Sequence, residues 1–117
     1  MTIPMPSPVG VHVIMNVYNV SENLLTSLDV GMPLSDSIVK SLPLTVLHRA
    51  GHQFQPHGYT LLYLLSESHF SIHTYPEYRS CYIDIFCCNR TFDPAAALAV
   101  VGDVFQTKQI DCQILTR

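Results

Sequence analysis

The chain has 117 residues, of which 48% are hydrophobic and only 13% charged, and its net charge is -3. A chain of this length predicts a single domain, residues 1–117, around one core. Its six Lys and Arg residues are scattered, which argues against a nucleic-acid-binding surface. No apolar run reaches the roughly 18 residues of a membrane span, and no basic region precedes an apolar segment in residues 1–8, so we expect a cytoplasmic protein.

The low charged fraction has a consequence for the surface. Charged residues usually make up about a quarter of a globular chain, so this one is expected to cover part of its surface with a partner. A two-fold homodimer is the simplest such partner. The four cysteines, Cys81, Cys87, Cys88 and Cys112, are expected to be reduced thiols because the sequence has no secretion signal.

The first predicted element is a strand over residues 10–18, after a loose proline-containing arm over residues 1–8. Apolar side chains alternate along it and share one side, as in a half-buried strand. These side chains belong to Val11, Val13, Met15 and Val17.

Two short helices are predicted next. Ser21 is a candidate N-cap for a helix over residues 22–28, and Ser35 is a candidate N-cap for another over residues 36–41. Gly31 and Pro33 lie between them, so we expect the helical region to be broken there.

Residues 45–54 and 59–66 predict two strands of a hairpin, joined by turn residues around Pro56. A short extended segment follows over residues 69–74, and alternation resumes over residues 79–88. In the strand over residues 79–88, Cys87 is expected on the core face and Cys88 on the opposite face.

The C-terminal part predicts one helix and one strand. Asp93 followed by Pro94 is typical of a helix start, and apolar residues then recur at helical spacing as far as Phe105. Residues 108–115 predict the last strand. The order of elements favours an α+β two-layer sandwich, in which helices pack on one face of an antiparallel sheet.

The stretch ESHFSIHTYPE, residues 67–77, is the most informative part of the chain. It begins with a Glu67-Ser68 bond, and His73 follows five positions after the serine. A strained turn with a nearby proton carrier can allow a serine hydroxyl to attack the preceding carbonyl. With the downstream strand over residues 83–86 that leads to Cys88, this pattern resembles the pyruvoyl-dependent S-adenosylmethionine decarboxylases in their short prokaryotic form.

This resemblance implies that the chain makes its own cofactor. Ser68 would be the precursor of a pyruvoyl group, and cleavage after Glu67 would leave a β chain of residues 1–67 and an α chain of residues 68–117. The pyruvoyl ketone would condense with the amine of S-adenosylmethionine and hold the electron pair left when carbon dioxide departs. The product would be the aminopropyl donor of spermidine synthesis.

The resemblance also assigns individual roles. His73 matches the processing histidine, which takes the α-proton during cleavage, and Thr60 stands where the family usually has a serine that assists processing. Cys88 matches the cysteine that returns a proton to the substrate's α-carbon. Glu77 matches a carboxylate that binds the ribose hydroxyls, and Tyr75 stands where tryptophan is common. The family further implies a homodimer in which both subunits border each active site.

Two alternatives stay open at the level of sequence, and a third is disfavoured. The same pyruvoyl chemistry could act on arginine or ornithine, and a relative that never cleaves could serve as a binding or regulatory subunit. A zinc site is disfavoured, because His69 and His73 on an extended strand would lie roughly 13 Å apart. His48 and His52 meet the same objection, so no metal ligand is predicted.

Overall fold

The computed structural model describes residues 2–117, and its centre is a six-stranded antiparallel sheet. The strands run in the spatial order β2-β3-β4-β5-β1-β6. Their bounds are β1 Val11–Val17, β2 Val46–Gln53, β3 Tyr59–Leu65, β4 Ser68–Tyr75, β5 Ser80–Cys87 and β6 Ile110–Thr116. The predicted hairpin of β2 and β3 is confirmed, with His52 opposite Thr60.

Two helices, α1 (Leu28–Lys40) and α2 (Pro94–Phe105), complete the fold, together with 3-10 turns at Glu22–Leu24 and Pro76–Tyr78. Both helices pack against the sheet and bury one of its faces. The predicted α+β two-layer architecture is therefore confirmed. No helix within residues 2–117 is long and apolar enough to span a bilayer.

The core lies between the helices and the sheet, and alternation along the strands determines which side chains enter it. In β1 the buried residues are Val13, Met15 and Val17, and in β5 they include Ile83, Ile85 and Cys87. Helix α2 begins as predicted, because the Asp93 side chain accepts a hydrogen bond from the Ala95 N–H, and it buries Ala97, Val101 and Phe105.

The prediction of a broken helical region was wrong. Helix α1 is continuous and contains both Gly31 and Pro33, and its N-cap is Ser27, whose side chain accepts from the Asp29 N–H. Ser21 makes no side-chain cap, and Ser35 is buried inside the helix. Gly31 is required because the ring of Tyr59 packs directly on it: a Cβ at this position would lie 2.0 Å from Tyr59 Cζ.

No helix of residues 2–117 packs on the opposite face of the sheet, which we call the open face. It presents polar and aromatic side chains, among them His12 and Asn16 of β1, Thr60 of β3, His69, Ser71, His73 and Tyr75 of β4, and Tyr82, Asp84 and Phe86 of β5. Leu62 and Leu64 on the same face are 49% and 56% exposed. These two leucines add exposed apolar surface to the open face.

Candidate active site

The Glu67-Ser68 bond lies in the tight turn between β3 and β4. Ser66 and Glu67 form the turn, and Ser68 begins β4 with a φ of +143°. Such a backbone angle is strained for any residue with a side chain, at a cost on the order of 1–3 kcal/mol. The backbone strain therefore lies at the Glu67-Ser68 bond, the predicted cleavage site.

Cys88 contacts both sides of this bond. Its backbone N–H donates a hydrogen bond to the carbonyl oxygen of Glu67 across 2.9 Å. Its Sγ lies 3.4 Å from the Ser68 hydroxyl. An N–H aimed at a carbonyl oxygen stabilises the negative charge that develops there when a nucleophile attacks the carbon. The turn thus combines a hydroxyl, a polarised carbonyl and a thiol.

Thr45 holds the Glu67 side chain in place. The Thr45 N–H donates to Glu67 Oε1 at 2.9 Å, and the Thr45 hydroxyl donates to Oε2 at 3.2 Å. The Thr45 carbonyl in turn accepts from the Ser66 N–H at 2.9 Å. Thr45 therefore fixes the turn with three hydrogen bonds, two donated and one accepted, and no local sequence pattern indicates this role.

The two adjacent cysteines have different environments, as the alternation predicted. Cys87 is buried, and burial raises the pKa of its thiol. Cys88 is exposed and lines a cleft of about 550 Å³ next to Gly10 and Arg90. Gly10 makes room for it, because a Cβ there would lie 3.2 Å from Cys88 Sγ and 2.8 Å from the Cys87 carbonyl oxygen. Of the two cysteines, Cys88 is therefore the one exposed to solvent.

A second group of the predicted residues lies at the other end of β4. The Thr60 hydroxyl and His73 Nδ1 are 3.0 Å apart, on paired positions of β3 and β4. They line a cleft of about 320 Å³ together with Phe54, Tyr75 and Glu77. The ring of Tyr75 stacks edge-on against Tyr82 with centroids 5.5 Å apart.

The two groups do not meet within one chain. Ser68 and His73 are five residues apart on the same strand, which corresponds to roughly 16 Å at about 3.3 Å per residue. Ser68 and Cys88 are therefore brought together, as are Thr60 and His73, but the hydroxyl and the imidazole are separated by most of the length of β4.

A cluster of His12, His69 and Asp84 on the open face was missed at the level of sequence. Their candidate ligand atoms lie within 4.8 Å of one another. His12 Nε2 is 2.9 Å from Asp84 Oδ2, and His69 Nε2 is 3.7 Å from the same oxygen. The pairing of β1 with β5 and of β4 with β5 creates the cluster, so only the strand order could have revealed it.

Its geometry favours a hydrogen-bond network over a metal site. Arg117 Nη1 lies 3.3 Å from His12 Nδ1, and because a guanidinium only donates, Nδ1 is the acceptor. The proton of His12 is then on Nε2, directed at Asp84. Burial alone would raise the pKa of the Asp84 carboxyl, but hydrogen bonds from Ser71 and His12 and the charge of His69 outweigh burial, so this pKa lies below its ordinary value.

Comparison with known proteins identifies the family of this chain. A family model described as S-adenosylmethionine decarboxylase matches residues 11–117. An S-adenosylmethionine decarboxylase proenzyme of Archaeoglobus fulgidus is 35% identical over 109 residues, which cover 93% of this chain and 97% of the relative. A proenzyme of the same description from Hydrogenobaculum sp. is 38% identical, with 97% of this chain and 84% of the relative covered.

The fold has a solved counterpart. The crystal structure of the adenosylmethionine decarboxylase from Aquifex aeolicus VF5 matches with a TM-score of 0.87 at 30% identity, covering 96% of this chain and 92% of that one. Fold and sequence together define a decarboxylase of the α+β class. More particularly, the chain belongs to the S-adenosylmethionine decarboxylase family, in its short prokaryotic form, which confirms the family predicted from residues 67–77.

Proposed function

We propose that this chain is a self-processing decarboxylase that converts S-adenosylmethionine to decarboxylated S-adenosylmethionine for spermidine synthesis, using a pyruvoyl group made from Ser68. One observation carries the proposal. Cys88 donates its N–H to the carbonyl of the Glu67-Ser68 bond, and its thiol lies beside the Ser68 hydroxyl, at the strained start of β4. The family membership agrees with this reading.

Self-cleavage would begin at the polarised carbonyl. The Ser68 hydroxyl attacks the Glu67 carbonyl carbon, and the Cys88 N–H stabilises the charge on its oxygen. Backbone strain at Ser68 is released when the amide becomes an ester, so the strained turn favours the forward direction. Thr45 keeps the Glu67 side chain fixed throughout, which restricts the turn to the reactive arrangement.

The proton carrier would come from a second subunit. His73 lies too far along β4 to reach Ser68 of its own chain, but a two-fold axis over the middle of β4 would bring each Ser68 close to the partner subunit's His73. An isologous interface pairs residues in this reciprocal way. The uncovered open face, with Leu62 and Leu64 about half exposed, supplies the apolar surface for such a dimer.

Once formed, the pyruvoyl group would supply an electron sink for the electrons released with carbon dioxide. Cys88 would hold the proton that its Sγ returns to the α-carbon of the substrate. Glu77 and Tyr75 border the cleft of Thr60 and His73, where a carboxylate can accept hydrogen bonds from ribose hydroxyls and an aromatic ring can cover the adenine.

Intact-mass spectrometry combined with a carbon dioxide assay tests this function. Purified protein should run as two fragments, residues 1–67 and a second fragment that begins with a pyruvoyl group, and should release carbon dioxide from S-adenosylmethionine. The Ser68→Ala variant should remain one inert chain. A wild-type chain that stays intact would favour the non-cleaving homologue, and a cleaved chain that prefers arginine or ornithine in parallel assays would overturn the substrate assignment.

A further inference from the structure

Cleavage leaves a new carboxylate whose two oxygens can be identified in the uncleaved turn. In the first step a bond forms between Ser68 Oγ and the Glu67 carbonyl carbon, the C–N bond breaks, and the hydroxyl proton passes to the released nitrogen. Removal of the Ser68 α-proton then breaks the bond between its Cβ and Oγ. Glu67 thus ends in a carboxylate made of its former carbonyl oxygen and the former Ser68 Oγ.

Both of these oxygens already contact Cys88 before cleavage. The carbonyl oxygen accepts from the Cys88 N–H at 2.9 Å, and Ser68 Oγ lies 3.4 Å from Cys88 Sγ. If the chain end stays where it is, one oxygen of the new carboxylate accepts from the N–H and the other faces the thiol. Thr45 can hold this chain end in position, since it binds the Glu67 side chain with two hydrogen bonds.

The new charge has no counterion from the reaction itself. The second fragment begins as an enamine, which takes up water and loses ammonia to become a ketone, so no amino group remains. Cleavage therefore adds one negative charge at Glu67, and the reaction itself supplies no positive charge to balance it. Among the residues that line the Cys88 cleft, Arg90 alone is charged, and the Glu67 side-chain carboxylate is already occupied by Thr45.

We propose that the terminal carboxylate of Glu67 becomes a lasting part of the mature active site, where it accepts a hydrogen bond from the Cys88 thiol and keeps that thiol protonated. The proposal rests on the proposed self-cleavage and deepens it. A nearby negative charge disfavours a thiolate, while the hydrogen bond favours the thiol form. Processing would thus create the ketone and prepare its proton donor in the same event.

Thiol reactivity tests this proposal without any turnover. Iodoacetamide reacts with thiolates, and peptide mapping by mass spectrometry measures alkylation at Cys88 separately from the other three cysteines. We expect Cys88 to react at least about tenfold more slowly in the cleaved enzyme than in uncleaved Ser68→Ala near pH 7.5, since a tenfold change in the thiolate fraction corresponds to about one pH unit. The difference should shrink toward pH 10 as both thiols ionise.

The pH dependence separates charge from obstruction. Equal rates in the two proteins, or a difference that stays constant between pH 7 and pH 10, would overturn the proposal, because a merely blocked thiol reacts slowly at every pH. The mass spectrum of the same samples shows whether the wild-type chain has cleaved. An uncleaved wild-type chain would overturn the proposed function itself, whereas a cleaved chain with an unaltered Cys88 rate would overturn only the role of the carboxylate.

Discussion

The hydroxyl of Thr60 lies 3.0 Å from Nδ1 of His73, on directly paired positions of β3 and β4. A histidine that removes a proton through Nε2 must carry its own proton on Nδ1, and the Thr60 hydroxyl oxygen can accept a hydrogen bond from that N–H. Thr60 would therefore orient the imidazole and select its tautomer, as hydrogen-bonded partners of histidines commonly do.

Removing this hydroxyl should slow self-cleavage. We expect Thr60→Val to lengthen the half-life of the uncleaved chain roughly tenfold, within the range seen when the partner of a functional histidine is lost. Thr60→Ser keeps the hydroxyl and should cleave at the wild-type rate. Gel densitometry of freshly purified protein measures both rates. Equal rates for the Val and Ser variants would show that Thr60 has no part in processing.

Two inactive variants should complement each other if His73 acts across subunits. In a mixed dimer of Ser68→Ala and His73→Ala chains, one site combines the intact serine of one chain with the intact histidine of the other. We expect cleavage of the His73→Ala chain alone, identified by mass after the two proteins are mixed and refolded. Cleavage of neither chain in verified mixed dimers would argue for action within one subunit.

Much of the fold could be predicted because local patterns determine it. Alternation in β1 and β5 identifies the core residues, and Asp93 with Pro94 identifies the start of α2. The break predicted near Gly31 failed for a tertiary reason: the glycine accommodates the buried ring of Tyr59, which lies 28 positions further along the chain, and no local signal records that contact.

The same distinction applies to the candidate site: its residue types could be predicted from the sequence, but which of these residues lie together could not. The residue types of the Glu67-Ser68 bond, His73 and Cys88 form a pattern along the sequence, so a family could be recognised. Which of them meet depends on strand order and register, and these place Ser68 beside Cys88 but His73 beside Thr60. Thr45 and the cluster of His12, His69 and Asp84 depend entirely on such long-range pairing.

The contact between Gly31 and Tyr59 predicts that adding a side chain at residue 31 destabilises the fold. A Cβ on residue 31 would overlap Tyr59, whose buried hydroxyl donates to the Leu24 carbonyl at 2.9 Å and so cannot easily move. We expect Gly31→Ala to lower the free energy of unfolding by about 3 kcal/mol or more. Gly102→Ala, where the nearest atom lies at 3.1 Å and alanine favours the helix, should change it by less than about 1 kcal/mol. Urea unfolding of the two variants in parallel measures both changes in the free energy of unfolding.

The hydrogen bonds of Asp84 predict a pH-dependent stability. Its pKa is lowered in the folded state, so its contribution is present above the ordinary value of an aspartate, about 3.9, and is lost as pH falls through the lower folded value. We expect Asp84→Asn to be less stable than wild type by about 1–2 kcal/mol at pH 7, with a smaller difference at pH 3. Urea titrations at one fixed protein concentration measure this, and a difference that grew on acidification would contradict the assignment.

The hydrogen bonds between Thr45 and Glu67 predict that a change at Thr45 slows self-cleavage without a large loss of stability. The Thr45→Val variant keeps the backbone N–H bond to Oε1 but loses the hydroxyl bond to Oε2. One such bond contributes about 1 kcal/mol, so self-cleavage should slow by roughly fivefold while the thermal midpoint stays close to that of wild type. Thr26→Val removes a comparable exposed hydroxyl bond, to the Glu22 carbonyl at 2.7 Å, away from the turn, and should cleave normally. If both valine variants cleaved at the wild-type rate, the turn would be held well enough by the Cys88 N–H and the β3–β4 pairing alone.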